Sequence, residues 1–411
     1  MTTNSKLVAL KKKQQLIINP GHSIINKIKS RYLALRLKKS RIQTLTHITR
    51  LTIASLIKKF DINKKIKKPN GKEKIFSVRI TGGIGDAVII ARLVNDLTKQ
   101  LKDHTFDIYF QSPDIVEPFF RKIKGFRSVL HISAYEDTRQ YYQFSLIANQ
   151  YVHFDMKGTN LKKITQCEPS ILKMYAHSEA IKAKYIRFIK SHPYLDGAFA
   201  DILVETGIRR YEFLHQTLGI TYSGNALPIE ITASLPTELI GKKYITIHDG
   251  WDSNFPLSSA RPTKAVPTEK WNEITKKLKK SHPELTIVQL GGNTGSTIEN
   301  IDINLKDKIS FAESTAIIAG ASLHLDAESG LVHIASALNV KCLVIFGPTN
   351  VEWFSYPENI NIAPNQCGNC WWTTTTWMEK CLENHEVPIC TKKTDSNKIA
   401  QQVISYIFNQ N

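Results

Sequence analysis

Glu328, Ser329 and Gly330 lie where a short apolar strand predicted over 323–326 turns into a helix predicted over 331–338. Free backbone N–H groups and the positive end of the helix dipole are exposed at such a turn, and glycine lets an anion approach the backbone. The turn is therefore a candidate phosphate-binding site. Taken by itself, the stretch fits an ordinary capped helix equally well.

A second strand-to-helix turn carries a carboxylate. A strand predicted over 75–81 is followed by the sequence GGIGD, which contains Gly83, Gly85 and Asp86, and then by a helix over 87–101. Such a turn is weak evidence for nucleotide binding, because the full dinucleotide-binding pattern is missing. Asp86 is a candidate general base, and helix capping is the alternative role for this residue.

Three other strand ends supply further candidates. Asp114 follows the next predicted strand and is the reserve base, although capping of its own helix is the favoured interpretation. Gly291 and Gly292 end a later strand in a loop that could pass beneath an adenine or a ribose, and Glu299 could accept hydrogen bonds from ribose hydroxyls. Asp326 precedes the phosphate-binding turn, either as a structural carboxylate or as a contact to the ligand.

The phosphate-binding turn and its surroundings resemble the sugar-nucleotide signature of glycosyltransferase family 9, which contains the lipopolysaccharide heptosyltransferases and their relatives. That signature is an acidic residue, Ser or Thr, Gly, Leu, any residue and His, then an Ala-rich turn and FGPT. One position departs from it, since the family usually carries Asp where this chain has Glu. The matching residues are Glu328, Ser329, Gly330, Leu331, His333, Ala335, Ala337, Phe346, Gly347, Pro348 and Thr349.

The resemblance implies an α/β protein with two Rossmann-like domains facing a cleft, the GT-B arrangement. The donor, ADP-heptose, would bind the second domain at the positions around Ser329, Gly330 and His333. Asp86 would deprotonate an acceptor hydroxyl, and no catalytic metal is required. The segment that begins at Lys264 resembles the family's Lys, aromatic-Pro, Glu, Trp element with Val266 in place of the aromatic residue, so Lys264 is expected beside the donor diphosphate.

The same resemblance gives the expected organisation of the chain. A basic extension occupies 1–74, the acceptor-side domain 75–235, the donor-side domain 236–395 and a terminal helix 396–411. The expected acceptor is a lipopolysaccharide core, with an autotransporter protein as the alternative. Another nucleotide sugar, or a binding module without catalysis, is the second alternative.

Nearly all of the net positive charge lies in the N-terminal extension. It contains 20 Lys and Arg residues but only Asp61 and Glu73 as acidic residues, so it carries +18 of the formal charge of +19. Helical spacing of apolar residues over 22–68 predicts one or two basic amphipathic helices. They could pack on the body or on a second subunit of a homo-oligomer, or contact an anionic membrane surface. Nucleic-acid binding ranks last because no recognisable reading module is present.

The remaining composition, 42% hydrophobic and 22% charged residues, is typical of globular proteins. No run is long enough to span a bilayer, and the N-terminus lacks the features of a signal peptide. The expected location is cytoplasmic, with peripheral contact at the inner face of the bacterial inner membrane if the basic extension binds lipid.

Four cysteines near the C-terminus have the spacing of a structural metal site. Cys367 and Cys370 form a C-x2-C pair, and Cys381 and Cys390 follow within the loop 365–391. All four thiolates would be used, so the metal would hold the loop and leave no position for substrate. Zinc suits an all-thiolate site, while the resemblance to autotransporter heptosyltransferases implies iron. Disulfides are the less expected alternative in the cytosol.

Overall fold

The computed structural model describes residues 73–157, 159, 168–251 and 262–408, together with positions 29, 32, 40, 42, 43, 45, 46, 49 and 53. Apart from those isolated positions, the basic helices predicted over 22–68 lie outside the described residues. The chain divides into two compact units, Met1–Lys68 and Pro69–Asn411. The elements named below all belong to the second unit.

The first half of this unit is built on a five-stranded sheet in the order β3-β2-β1-β4-β5. All neighbours pair in parallel except β4 and β5, which are antiparallel. The strands are β1 (Ile75–Ile80), β2 (Thr105–Phe110), β3 (Phe126–His131), β4 (Phe144–Ala148) and β5 (Val152–Phe154). The helices are α1 (Ile84–Gln100), α2 (Pro113–Phe120), α3 (Tyr135–Thr138), α4 (Pro169–Lys184), α5 (Ile186–Lys190), α6 (Asp196–Glu205) and α7 (Arg210–Thr217).

The second half is built on a six-stranded sheet in the order β11-β10-β9-β6-β7-β8, in which every pairing is parallel. The strands are β6 (Tyr244–Ile247), β7 (Thr286–Gln289), β8 (Ile303–Asn304), β9 (Leu323–Ala327), β10 (Cys342–Ile345) and β11 (Ile360–Ile362). The helices are α8 (Thr268–Ser281), α9 (Phe311–Ala319), α10 (Gly330–Ala337), α11 (Val351–Phe354), α12 (Ile389–Lys392) and α13 (Ser396–Phe408).

The central strands are buried because helices cover the parallel sheets. All residues of β9, including His324 and Asp326, are buried, as are all residues of β6 and β10. Such strands are nearly continuous apolar runs, which is why the sequence predicts them well. Two strands of the first sheet, β3 and β4, are absent from the sequence-based prediction, and β5 is the antiparallel edge strand.

The two halves are joined through helices α1 and α10, which pack against each other. Buried Arg92 of α1 crosses this contact, donating from Nε to the backbone oxygen of Asn225 (2.7 Å) and from Nη2 to that of His333 (3.2 Å). Its Nη1 donates to the hydroxyl of Tyr356. None of the helices in the described part of the chain is long and apolar enough to cross a membrane.

Candidate active site

The two strand-to-helix turns meet at the carboxyl ends of β1 and β9. A Cβ atom placed on Gly85 would lie 2.5 Å from Cδ2 of His333, and one placed on Gly330 would lie 3.4 Å from the backbone nitrogen of Gly85. The backbones of the two turns therefore approach each other closely, and the lack of a side chain at Gly85 is what permits it. The glycines of both motifs belong to one site at the junction of the two halves.

Asp86 caps its own helix and also faces the other half. Its Oδ2 accepts a hydrogen bond from the backbone N–H of Gly83 at 2.6 Å, and its Oδ1 accepts one from Nη2 of Arg210. Gly82 has φ +126°, and a Cβ there would lie 2.3 Å from Oδ2 of Asp86, so this turn requires glycine. The side chain of Asp86 remains 18% exposed, which leaves the carboxylate accessible for a further contact.

Arg210, at the start of α7, brings a buried positive charge to this carboxylate. Its side chain is only 5% exposed, and its guanidinium lies over the ring of Phe354 at 5.7 Å from the centroid. It is close enough to Glu328 and His333 to lower the pKa of each side chain. Arg210 therefore lies between the carboxylate of the first turn and the residues of the second.

Glu328, Lys264 and His333 form the other side of the site. Burial raises the pKa of the Glu328 carboxyl, but Lys264 and then His333 outweigh burial, and the pKa lies below its ordinary value. His333 Nε2 lies 3.7 Å from Oε1 of Glu328, while its Nδ1 is 2.6 Å from the hydroxyl of Tyr356. Burial lowers the pKa of His333, so its imidazole is neutral and Glu328 is ionised at neutral pH.

Ser329 is held by a buried polar network beneath the second turn. Its Oγ accepts from the backbone N–H of Leu331 at 3.2 Å and donates to Oδ2 of Asp326. Asp326 also accepts from Nδ1 of His248 at 2.9 Å and from Nε2 of His324 at 3.2 Å. Burial raises the pKa of Asp326, yet His248 and His324 bring it down to about 2. This network orients the hydroxyl that caps α10.

His248 carries the charge that balances Asp326. Burial lowers its pKa, but Asp326 and then Asp249 raise it to about 8. The imidazole follows β6, and the ring lies beside Gly291, whose φ is +143° and whose Cβ would be 3.4 Å from Cδ2 of His248. A buried imidazolium–carboxylate pair thus lies directly below the phosphate-binding turn.

The arrangement combines an accessible carboxylate, two cations and free N–H groups at a helix start, which suits transfer from a diphosphate donor to a hydroxyl. Residues 252–386 match the sequence profile described as glycosyltransferase family 9 (heptosyltransferase). That stretch is similar in sequence to the family 9 glycosyltransferases. The resemblance and the enzyme class predicted from the motifs are confirmed. No curated protein matches the sequence at a significant level.

Solved structures show the same fold. The iron-containing dodecameric glycosyltransferase TibC from enterotoxigenic E. coli H10407 is 12% identical, with 83% of this chain and 78% of TibC covered and a TM-score of 0.55. Dodecameric iron-containing heptosyltransferase TibC in complex with ADP-D-beta-D-heptose is 13% identical, with 82% and 76% covered and a TM-score of 0.53. E. coli ADP-heptose lps heptosyltransferase II is 13% identical, with 82% and 99% covered and a TM-score of 0.49. The first two similarities confirm the predicted GT-B arrangement of two α/β halves.

Some of the predicted site residues lie apart from the junction of the two halves. Asp114 is exposed in the first turn of α2, and Glu299 is exposed beyond β7, with its backbone N–H bonded to the Asn272 side chain. Gly292, next to Gly291, is partly exposed at the end of β7. Within the described residues, neither carboxylate forms a hydrogen bond with the residues around Asp86, so their roles remain predictions.

The four-cysteine loop packs beside the FGPT turn. A Cβ on Gly347 would lie 3.6 Å from Sγ of Cys390, and the C-x2-C pair turns through left-handed residues, with φ of +62° at Cys367 and +116° at Gly368. Burial, and then the nearby Cys367, Cys370 and Cys381, raise the pKa of the Cys390 thiol to about 12. Within the described residues, no group of three or more His, Cys, Asp or Glu side chains is arranged to hold a metal ion.

Three residues of the site were missed by reasoning from the sequence. Arg210 belongs to no motif, and it is 124 positions from Asp86 in the chain. Tyr356, which links Arg92 to His333, likewise has no local signal. His248 directly follows β6, so the rule that ligand sites lie beyond strand ends could have identified it.

Proposed function

We propose that this chain is an inverting glycosyltransferase that moves heptose from ADP-heptose to a hydroxyl group of a lipopolysaccharide core. The observation that carries the proposal is the meeting of two turns: one presents the Asp86 carboxylate and the other the Ser329–Gly330 start of α10, with their glycines in backbone contact. The family 9 match supports the reaction class, and the structure of TibC in complex with ADP-D-beta-D-heptose supports this donor.

The reaction would proceed by direct displacement at the anomeric carbon. Asp86 takes the proton of the acceptor hydroxyl while the hydroxyl oxygen forms a bond to that carbon. The bond between the anomeric carbon and the diphosphate oxygen breaks from the opposite face, so the configuration inverts and ADP leaves. Lys264 and the N–H groups at the start of α10 would stabilise the negative charge that develops on ADP. Asp86 then releases its proton to solvent.

Calorimetry with ADP-heptose, ADP, a UDP-sugar and a GDP-sugar tests the donor. The expected result is saturable binding of ADP-heptose and ADP that is lost in Gly330→Asp, because a carboxylate there would repel the diphosphate. Gly207→Asp, at an exposed turn with no neighbour within 4 Å, is the matched surface control, although its φ of +75° requires a check of folding. Preference for a UDP- or GDP-sugar would contradict the donor assignment. If the protein bound none of these compounds, the remaining candidate would be a binding module for another kind of ligand.

The acceptor is tested by transfer assays with ADP-heptose. Heptose-free lipopolysaccharide is the expected substrate, and an unglycosylated autotransporter passenger is the second candidate because the four-cysteine loop resembles that branch of the family. Labelled heptose should appear on the lipopolysaccharide and not on the protein. The reverse result would move the proposal to protein O-heptosylation.

The four-cysteine loop would hold one structural zinc or iron ion through Cys367, Cys370, Cys381 and Cys390. The proximity of Cys367, Cys370 and Cys381 to the buried Cys390 thiol supports this, because a bound cation would stabilise such clustered cysteines as thiolates. Elemental analysis of purified protein should find about one ion per chain, reduced in Cys370→Ser but not in Cys342→Ser, the buried strand cysteine. Absence of metal together with four thiols that react freely would contradict this.

Association with anionic membranes and self-association are further parts of the proposal. Residues 1–74 carry most of the net charge, and TibC is described as dodecameric. Flotation with vesicles containing anionic lipid should capture the full chain at low salt and release it at high salt. Light scattering should give a mass above that of the 46.6 kDa chain. A monomer at all concentrations would contradict self-association.

A further inference from the structure

Two buried arginines near the junction differ in how their donors are used. Arg92 donates from all three of its guanidinium nitrogens to protein oxygens, on Asn225, His333 and Tyr356. Arg210 donates from Nη2 to Asp86, whereas its Nε is buried and has no hydrogen-bond partner among the described residues. Arg92 therefore links the halves through a hydrogen bond from each of its guanidinium nitrogens, whereas the buried Nε of Arg210 makes none.

An arginine in this place is unfavourable for folding alone. Arg210 occupies the first position of α7, where the helix dipole disfavours a positive charge, and its guanidinium is largely removed from water. The start of the helix is otherwise well capped, because the backbone N–H of Arg209 donates to Glu212 at 2.8 Å. The helix thus does not need the guanidinium, and a buried N–H without a partner is destabilising.

The charges around Arg210 indicate which kind of oxygen its free donor would meet. Asp86 and Glu328 supply two negative charges, Arg210 and Lys264 supply two positive charges, and His333 is neutral. Arg210 already neutralises Asp86 before any ligand binds, so a neutral hydroxyl fits beside this pair better than a second anion does. A hydroxyl can accept from Nε–H of Arg210 through a lone pair while its proton points to the carboxylate.

We propose that Arg210 positions the acceptor hydroxyl: it holds Asp86 through Nη2 and donates from Nε to the hydroxyl oxygen that Asp86 deprotonates. This rests on the proposed function, in which Asp86 is the base. The guanidinium of Arg210 would align the Asp86 carboxylate and the acceptor hydroxyl in one plane. Binding of the nucleotide sugar would not require Arg210. The ligand class is a neutral sugar or side-chain hydroxyl.

Steady-state kinetics of Arg210→Lys and Arg210→Ala test the proposal. The substrates are ADP-heptose and whichever acceptor the unmodified protein uses, either heptose-free lipopolysaccharide or the autotransporter passenger. Lysine at this position retains the positive charge but lacks the planar guanidinium group and its Nε–H. We expect the acceptor KM to rise about 10-fold and kcat to fall about 10- to 100-fold, the effect of one or two charge-assisted hydrogen bonds. The dissociation constant of ADP-heptose measured by calorimetry should stay within about 2-fold.

Chemical rescue separates positioning from a purely structural role. Guanidinium at low millimolar concentration should restore at least a few-fold of the lost kcat in Arg210→Ala and none in Asp86→Asn. Arg209→Ala, the adjacent arginine whose side chain has no described contact with Asp86, is the matched control and should retain near-normal kinetics. An equal loss of donor affinity and acceptor turnover in Arg210→Lys, without rescue of Arg210→Ala, would overturn the inference.

The same data distinguish this inference from the proposed function. Full activity in both arginine variants together with an inactive Asp86→Asn would remove the role of Arg210 and leave the base assignment intact. Full activity in Asp86→Asn would remove the base assignment and the inference with it. Absence of transfer to either acceptor by the unmodified protein would contradict both.

Discussion

The carboxylates at the two turns have opposite environments. Asp86 is 18% exposed and is held by one guanidinium and one backbone N–H. Asp326 has no exposed surface and is held by two imidazoles and the hydroxyl of Ser329. One carboxylate is placed where a substrate can reach it, and the other is placed where it can only orient its neighbours. Similar strand-to-helix geometry thus leaves one carboxylate accessible for the proposed chemistry and buries the other beneath its turn.

The largest expected effect is the loss of turnover in Asp86→Asn. Removal of a general base costs about 10²- to 10⁴-fold in rate, and some loss of stability should accompany it because the largely buried guanidinium of Arg210 loses its charged partner. Transfer of labelled heptose at saturating substrate measures kcat, and urea unfolding measures stability. A loss of activity in Asp114→Asn instead would make the exposed carboxylate of α2 the base.

Asp326→Asn should show the reverse pattern, a large loss of stability. Replacing the buried carboxylate leaves the positive charge of His248 without its partner, and breaking a buried ion pair in this way costs about 3–5 kcal/mol. Urea unfolding should therefore show a greatly reduced midpoint. Glu299→Gln, at an exposed carboxylate of the same half, should stay within about 0.5 kcal/mol. Equal stability of the two variants would refute the supporting role assigned to Asp326.

The His248–Asp326 pair also predicts a pH dependence of stability. The pKa of His248 is raised from 6.5 to about 8 in the folded chain, so its stabilising contribution is complete below pH 6.5 and is lost as the pH rises through 8. A shift of this size corresponds to about 2 kcal/mol. The difference in unfolding free energy between the unmodified protein and His248→Asn should shrink by about that amount from pH 6 to pH 9.

The other histidines are common to both proteins, so their contributions cancel in this difference. Burial lowers the pKa of His104, His153 and His333, so each contributes a stability change only below pH 6.5, where the unfolded imidazole gains a proton. Asp326, with a pKa of about 2, stays ionised throughout. A difference between the two proteins that is constant from pH 6 to pH 9 would mean that His248 is not charged in the folded state.

The difference between local and long-range contacts explains which parts of the fold and the site could be predicted from the sequence. Both turns were found because apolar strands, glycines and helix starts are signals within a few residues of one another. Ser329 and Asp86 could be placed at strand ends for the same reason. Arg210 could not, because its contact with Asp86 spans 124 positions and depends on how α7 packs on α1. Strands β3 and β4 were missed because polar residues such as Arg127, Ser128 and Ser145 interrupt their apolar pattern.

The smallest expected effect distinguishes two glycines that the motifs alone present as equivalent. Gly85→Ala places a Cβ 2.5 Å from the ring of His333, which is itself held by Tyr356, so overpacking should cost about 1–3 kcal/mol. Gly330→Ala meets its nearest neighbour at 3.4 Å, an ordinary contact, and alanine favours the helix that begins there, so stability should stay within about 1 kcal/mol. Paired urea unfolding curves, with ADP-heptose affinity measured alongside, compare them directly. If Gly330→Ala proved the more damaging change, the close approach between the two halves would have to lie on the side of α10 rather than at the first turn.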